Sequence, residues 1–308
     1  MRLKIGIALG SGSARGWAHI GVINALREEG IEPDIVCGSS IGALVGAAYV
    51  CNKINDLQDW VCSLNWVDVV RFMDIKLRRG GFIEGARLMD YFKQYVEDQH
   101  IENLPKPFAA VATNLVTGHE MWLQKGLLSD AIRASIALPG LFTPVKLEDT
   151  WLVDGGLVNP VPVSLCRALG AEVVIAVNLN GDILGKHFNP GTKKIPDPKW
   201  KLPDMPLLDK LFSTIPYNLK TRANNFITQS FGTSEETPGL FDVLAGSLNI
   251  MQDRITRSRM AGDPPEVTLS PRLARIGLME FDHAKAAIAE GRECVQHMMP
   301  MLRRALSD

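Results

Sequence analysis

The 308-residue chain has no excess of positive charge: 33 lysines and arginines stand against 34 aspartates and glutamates, for a formal net charge of −1. Without a basic footprint to neutralise phosphates, nucleic acid is excluded as an expected partner. Cysteine is scarce and odd in number. Cys37, Cys51, Cys62, Cys166 and Cys294 are widely spaced and lie mostly inside apolar runs, which fits reduced, buried thiols and neither a disulfide framework nor a zinc site. No metal and no cofactor are expected, and the expected compartment is the cytoplasm. No apolar run approaches the roughly 20 residues that span a bilayer. The run Ile5 to Leu9 is too short for a signal sequence and ends in glycines without a small-residue cleavage site. Any membrane contact is therefore expected to be peripheral, at the inner face. Internal repeats and low-complexity tracts are also missing. What is present is ordinary for a soluble globular protein: 46% hydrophobic and 22% charged residues, enough for a large core in one or two domain-lengths.

Strand-like and helix-like segments alternate as far as Asn178, which predicts an α/β fold with a mainly parallel sheet. Leu3 to Leu9 reads as a strand, followed by a glycine-rich turn and a helix with Ile20, Ile23 and Leu26 on one face, stopped by Gly30. The chain returns through Glu32-Pro33 to a strand at Asp34 to Cys37, completing a right-handed βαβ unit. Residues 56 to 97 read as aromatic-rich helices (Trp60, Trp66, Phe72, Tyr91, Phe92) broken by a turn at Arg78 to Gly81. Strands are predicted at 108–113, 120–123 and 173–177, with a hairpin at 145–147 and 151–153. Ser129 is expected to cap a helix running to Ser135, and 161–169 to form another. Residues 5–178 thus form the expected α/β core. Beyond it, 182–216 carries six prolines and no sustained period, so 179–308 reads as an extension packing on the core, loop-rich and then mainly helical. Within that extension, 266–269 is an expected edge strand and 282–306 a strong helix.

Three short patterns carry chemistry. Gly38-Ser39-Ser40-Ile41-Gly42 sits between an apolar strand and the apolar helix Ala43 to Tyr49, the setting of a nucleophile elbow; the same pentapeptide also serves as a plain turn. Only Ser40 has glycine two residues away on both sides. Gly10-Ser11-Gly12-Ser13-Ala14-Arg15-Gly16 is a strand-to-helix turn able to present backbone N–H groups to an anion. It does not fit the dinucleotide pattern, which needs glycine where Arg15 stands, nor a phosphate loop, which needs a lysine; nucleotide binding stays a minor alternative. Asp154 ends an apolar strand and precedes Gly155-Gly156, so its carboxylate emerges at a turn, although Asp-Gly is also a common hairpin pair. The histidines after Ser40 (His100, His119, His187, His283, His297) lie in polar or amphipathic stretches with no turn to aim them. His119-Glu120 lacks a metal-binding second histidine because Leu123 occupies its place.

In that order, the glycine-rich loop, the Ser40 elbow and Asp154-Gly155-Gly156 resemble the oxyanion loop, nucleophile elbow and D-G-[AG] motif of patatin-like phospholipases. The resemblance is nearest to the small bacterial RssA-type members related to neuropathy target esterase. Ile132 to Phe142 is similar to a further block found there between elbow and aspartate. The resemblance covers about residues 5–178. It implies a patatin-like three-layer α/β/α sandwich and a Ser40–Asp154 dyad without histidine. The elbow glycines are Gly38 and Gly42, and the oxyanion hole is built from Gly10, Ser11, Gly12, Ser13, Arg15 and Gly16, with the amides around Gly12 and Ser13 as donors. The loop departs from many relatives by having serine at 11 and 13 in place of glycine; negative φ at both would still let the hole form. A carboxylate is a weak base for a hydroxyl unless desolvation raises its pKa, so Asp154 is expected in a partly apolar pocket. The implied substrates are phospholipids, lysophospholipids or other acyl esters. The alternative is a regulatory or scaffolding protein with weak or vestigial esterase activity. The segment 182–262, with apolar residues interleaved among lysines and arginines, is the expected membrane contact; a cover on the core or an oligomer surface is the competing reading.

Overall fold

The computed structural model describes residues 3–65, 68–69, 75–78, 81–83, 86–96, 98–183 and 240–307. Along the chain these form β1 (Ile5–Leu9), α1 (Ala18–Glu28), β2 (Ile35–Ser39), α2 (Ile41–Val50), α3 (Ile54–Ser63), β3 (Ile75–Arg78), β4 (Gly81–Ile83) and α4 (Ala86–Tyr95). They continue with β5 (Phe108–Asn114), β6 (Glu120–Leu123), α5 (Leu128–Ser135), β7 (Val145–Leu147), β8 (Thr150–Asp154), α6 (Val163–Ala168), β9 (Val173–Val177), α7 (Leu240–Gly262), β10 (Val267–Leu269) and α8 (Ala284–Ala305). Two compact units divide the chain: Met1–Leu184 with Met251–Asp308, and Gly185–Ile250. The fold below is that of the first.

Strands β1, β2 and β9 are buried at every position, as expected of parallel strands covered on both faces. The main sheet among the described residues has eight strands. It runs β10-β9-β1-β2-β5-β8-β7, with β6 also on β5. The pairs from β10 to β5 are parallel, while β6, β7 and β8 pair antiparallel. Side chains alternate across it with the period of two that the pleat imposes. Ile7, Leu9, Ile175 and Val177 join the core formed with α1, α2, α3 and α8, whereas the smaller Ala8, Cys37, Val174 and Ala176 face α6. The result is the expected three-layer α/β/α sandwich with a mainly parallel sheet.

One feature of this sheet positions the site. Strand β6 lies along β5 from Ala110 to Thr113. β2 pairs with β5 up to Ser39 opposite Val111, and β8 pairs with it from Asp154 opposite Ala112. A strand has two edges, so β2 and β8 must share the other edge of β5, approaching each other end to end. Their termini meet beside consecutive residues of one strand.

Two local expectations are corrected. The stretch 56–97 is not wholly helical, since β3 and β4 form a separate antiparallel pair around the Arg78–Gly81 turn. Ser129 is not a cap but lies inside α5. Its N–H and hydroxyl both donate to the Asp98 carboxylate, at 3.1 and 2.8 Å, so a remote acid supplies the negative charge the helix N-terminus favours. Trp66 and Phe72 of the aromatic stretch lie outside the described residues, as do 184–239 of the segment read as a membrane contact.

Candidate active site

The β2–α2 turn places Ser40 at φ 56° and ψ −127°, a conformation that a side chain makes costly and that persists only where the surroundings enforce it. The flanking glycines are required by close approach. A Cβ on Gly42 would overlap the Leu9 carbonyl, and one on Gly38 would overlap the backbone of Ala43. The turn is held from α5: the Ser40 N–H donates to Ser135 Oγ at 2.9 Å, and that hydroxyl donates to the Val111 carbonyl at 2.6 Å. Ser135 belongs to the block Ile132 to Phe142 noted in the sequence, which was the available signal for it.

Asp154 meets Ser40 across the junction of β2 and β8. Ser40 Oγ donates to Asp154 Oδ2 at 2.5 Å, and the Gly156 N–H donates to Oδ1 at 2.7 Å. The residue's own N–H donates to the Ala137 carbonyl and its carbonyl accepts from Thr113 Oγ1, so both side chain and backbone are fixed. The carboxyl is fully buried. Desolvation pushes it up from 3.8 to about 7, outweighing the hydrogen bonds from Ser40 and Gly156 that pull it down.

The glycine-rich loop lies between β1 and α1, and its peptides are oriented one by one. The amides of Gly10, Ser11, Ala14 and Arg15 donate to the carbonyls of Val177, Pro160, Leu278 and Gly12. Those of Gly12 and Ser13 have no acceptor among the described residues. Carbonyl and N–H of one trans peptide point in opposite directions, so whatever holds a carbonyl aims the next amide. His19 Nε2 donates to the Gly10 carbonyl at 2.7 Å, Asn180 Nδ2 reaches the Ser11 carbonyl at 3.5 Å, and Arg15 Nε donates to the Gly12 carbonyl at 3.2 Å. The last two bonds turn the Gly12 and Ser13 amides away from these side chains. Arg15 is fully buried, and burial lowers it from 12.5 to about 10, so it is a cation at neutral pH that braces the loop from within. Gly16 sits against the Ile41 side chain, and Gly155 against the Val111 carbonyl. Ser11 has negative φ, whereas Ser13 is at φ 53°, so the condition of negative φ at both serines is met at only one of them. Its hydroxyl donates to the Leu278 carbonyl at 2.6 Å, an anchor that offsets the left-handed conformation.

The histidines lie elsewhere. His100 pairs with Glu102, His283 with Glu280, His297 accompanies Glu293, and His119 is exposed; His187 lies outside the described residues. His19, which the sequence reading passed over, is the one beside the loop. It is fully buried, and desolvation lowers it from 6.5 to about 4, so it is neutral in the fold. The unfolded chain binds a proton there between those pH values and the folded chain does not. Stability therefore falls as pH drops through that window, by up to about 3 kcal/mol. His19→Gln, which keeps a donor for the Gly10 carbonyl, removes this contribution, read as the difference between its stability–pH curve and that of wild type in urea titrations.

An apolar pocket opens beside the start of α2. Ile41, the residue after Ser40, lines it together with Trp17, Leu44, Trp60, Leu141 and Phe142. Trp17 packs edge-on against both Trp60 and Phe281, which stiffens one wall.

The family model for patatin-like phospholipases matches residues 7–167. An uncharacterized NTE family protein of Mycobacterium tuberculosis is 31% identical over 325 residues, covering 94% of this chain and 89% of the relative. Human patatin-like phospholipase domain-containing protein 6 is 30% identical over 224 residues, 65% of this chain and 16% of that longer protein. Among solved structures, VipD from Legionella pneumophila matches with a TM-score of 0.47 and 12% identity, over 96% of this chain and 67% of that one.

Proposed function

Because the chain belongs to the patatin-like phospholipase family, a family of lipid hydrolases, we propose that it cleaves acyl esters of phospholipids or lysophospholipids through a Ser40–Asp154 dyad. The observation that carries this reading is the 2.5 Å hydrogen bond from Ser40 Oγ to a carboxylate raised to about 7. Such a group is basic enough to take the hydroxyl proton and still ionised in half the molecules near neutral pH.

In the proposed reaction Ser40 Oγ attacks the ester carbonyl carbon while its proton passes to Asp154 Oδ2. The amides of Gly12 and Ser13 hold the resulting oxyanion, with Arg15 bracing their loop. Collapse breaks the bond to the alcohol, which leaves with the proton from Asp154, and the acyl group remains on Ser40. Water then gives a proton to Asp154 and attacks the acyl carbon. Ser40 leaves and regains its proton, releasing the carboxylic acid. The pocket beside Ile41 suits the hydrocarbon of the acyl group, since its lining is apolar. Among the described residues no helix is long and apolar enough to cross a membrane, so an interfacial substrate is reached by a peripheral contact; the segment 182–262 is the proposed place.

The test is labelling by an active-site-directed fluorophosphonate together with hydrolysis of a phospholipid and lysophospholipid panel. Wild type labels and releases fatty acid, while Ser40→Ala does neither. A folded wild type that neither labels nor releases fatty acid supports the regulatory or scaffolding role instead.

A further inference from the structure

Behind the glycine-rich loop, Ser11 joins a buried polar cluster with Gln252 and Asn180, which belong to none of the motifs. Gln252, on α7, is 6% exposed, Asn180 2% and Ser11 2%. Gln252 Oε1 accepts from Ser11 Oγ at 3.1 Å and from Asn180 Nδ2 at 2.9 Å. Asn180 Nδ2 also reaches the Ser11 carbonyl, and the Asn180 N–H is fixed by Asn178 Oδ1 at 3.0 Å. The other end of the glutamine lies over the turn that carries the base. A Cβ added to Gly156 would stand 2.6 Å from Gln252 Nε2 and 3.0 Å from Asp154 Oδ1, so amide and carboxylate flank the same point.

We propose that Gln252 is the positioning residue that locks the loop carrying the Gly12 amide to the turn carrying Asp154, acting through Ser11 and Asn180. The two halves come from β1 and β8, strands that are not neighbours in the sheet; Ser11 itself stands against Gly156, and Gln252 adds a polar tie that fixes how they are oriented. The Ser11 carbonyl and the Gly12 N–H belong to one planar trans peptide. Asn180, itself oriented by Gln252, therefore sets the direction of the Gly12 amide. On the other side, Gln252 places a neutral amide beside a carboxyl whose proton affinity governs the reaction. A neutral group suits that position, because a charge there would move the titration of Asp154. This role rests on the acyl-hydrolase reading, since it concerns how that site is assembled. It also explains a serine at position 11: a glycine there has no hydroxyl to offer Gln252.

The experiment uses the full chain and three readouts: the second-order rate of fluorophosphonate labelling, kcat and KM on a short soluble ester, and the acidic limb of the pH–rate profile, with Tm as a check on folding. Gln252→Leu keeps the volume and removes both polar ends. It lowers the labelling rate and kcat about 10- to 100-fold with KM unchanged, and leaves the acidic limb in place. Gln252→Glu keeps an acceptor for Ser11 and Asn180 but brings negative charge beside Asp154. It recovers most of the rate at high pH, with the acidic limb moved upward by at least half a pH unit, on the order expected of a nearby like charge. A folded Gln252→Leu that labels as fast as wild type overturns the proposal. So does a folded Gln252→Glu that is as slow as the leucine variant at every pH, because the loss would then owe nothing to the acceptor. Wild type that neither labels nor hydrolyses is a different failure: it overturns the acyl-hydrolase reading itself.

Discussion

Asp154→Asn removes the acidic limb of the pH–rate profile and lowers the plateau rate by about three orders of magnitude, the scale of losing a general base. In the native site Oδ1 accepts the Gly156 N–H and Oδ2 accepts the Ser40 hydroxyl. An asparagine that keeps its oxygen toward Gly156 must turn its NH₂ toward Ser40. The hydroxyl then accepts a hydrogen bond where it formerly donated, and among the described residues no other group accepts from it. With wild type the rate rises with pH around a midpoint of about 7, the value to which burial pushes the carboxyl. With the variant no limb remains near that pH. Retention of the limb assigns it to another group and removes Asp154 from the base role.

The same substitution stabilises the protein. The folded-state pKa is raised above 3.8 to about 7, so the folded chain holds a proton that the unfolded chain releases between those pH values. Stability is therefore complete below the unfolded value and is lost as pH rises through the folded one. Asparagine carries no such dependence. Relative to wild type it gains up to about 4 kcal/mol above pH 7 and nothing near pH 4, as measured by urea unfolding at both. His19 acts in the opposite sense over an overlapping window, destabilising the fold as pH falls. Wild-type stability consequently varies less with pH than either single variant, Asp154→Asn or His19→Gln.

The parts of this site legible in the sequence are those whose chemistry is local. A strand, a glycine-flanked serine and an apolar helix lie within sixteen residues, and the strained turn at Ser40 follows from them. The Asp-Gly-Gly turn is equally short. The meeting of the two was not legible in the same way, because it depends on β2 and β8 sharing one edge of β5 across a separation of 114 residues. The supporting polar residues carried even less signal. Ser135, Asn180 and Gln252 are ordinary polar residues beside apolar ones, with no motif around Asn180 or Gln252, and only the fold shows that each faces the site. Residue type also misled at Ser129, which looked like a cap, but Asp98 from outside the helix takes that role. At Ser13 the fold supplies the reason for a left-handed residue, since its hydroxyl finds the Leu278 carbonyl.

Replacing Ser40 abolishes hydrolysis, a loss of about four orders of magnitude or more, but the choice of replacement separates chemistry from backbone strain. Ser40→Ala keeps a Cβ at φ 56° and ψ −127°; Ser40→Gly removes it. A non-glycine residue held in such a region costs about 1–3 kcal/mol, while glycine loses about 0.5–1 kcal/mol more in conformational entropy on folding than alanine. Both variants lose the hydrogen bond to Asp154 and leave its carboxyl to remain protonated, so these effects cancel between them. The glycine variant is therefore more stable than the alanine variant by about 1 kcal/mol, the reverse of the usual order in a folded chain. Urea titrations of the two inactive variants at one pH measure this difference directly. If alanine is equal or better, the turn stores no strain, and the positive φ of Ser40 carries no stability cost. If glycine is better, the chain gives up stability to hold a side chain at the position from which its hydroxyl reaches Asp154.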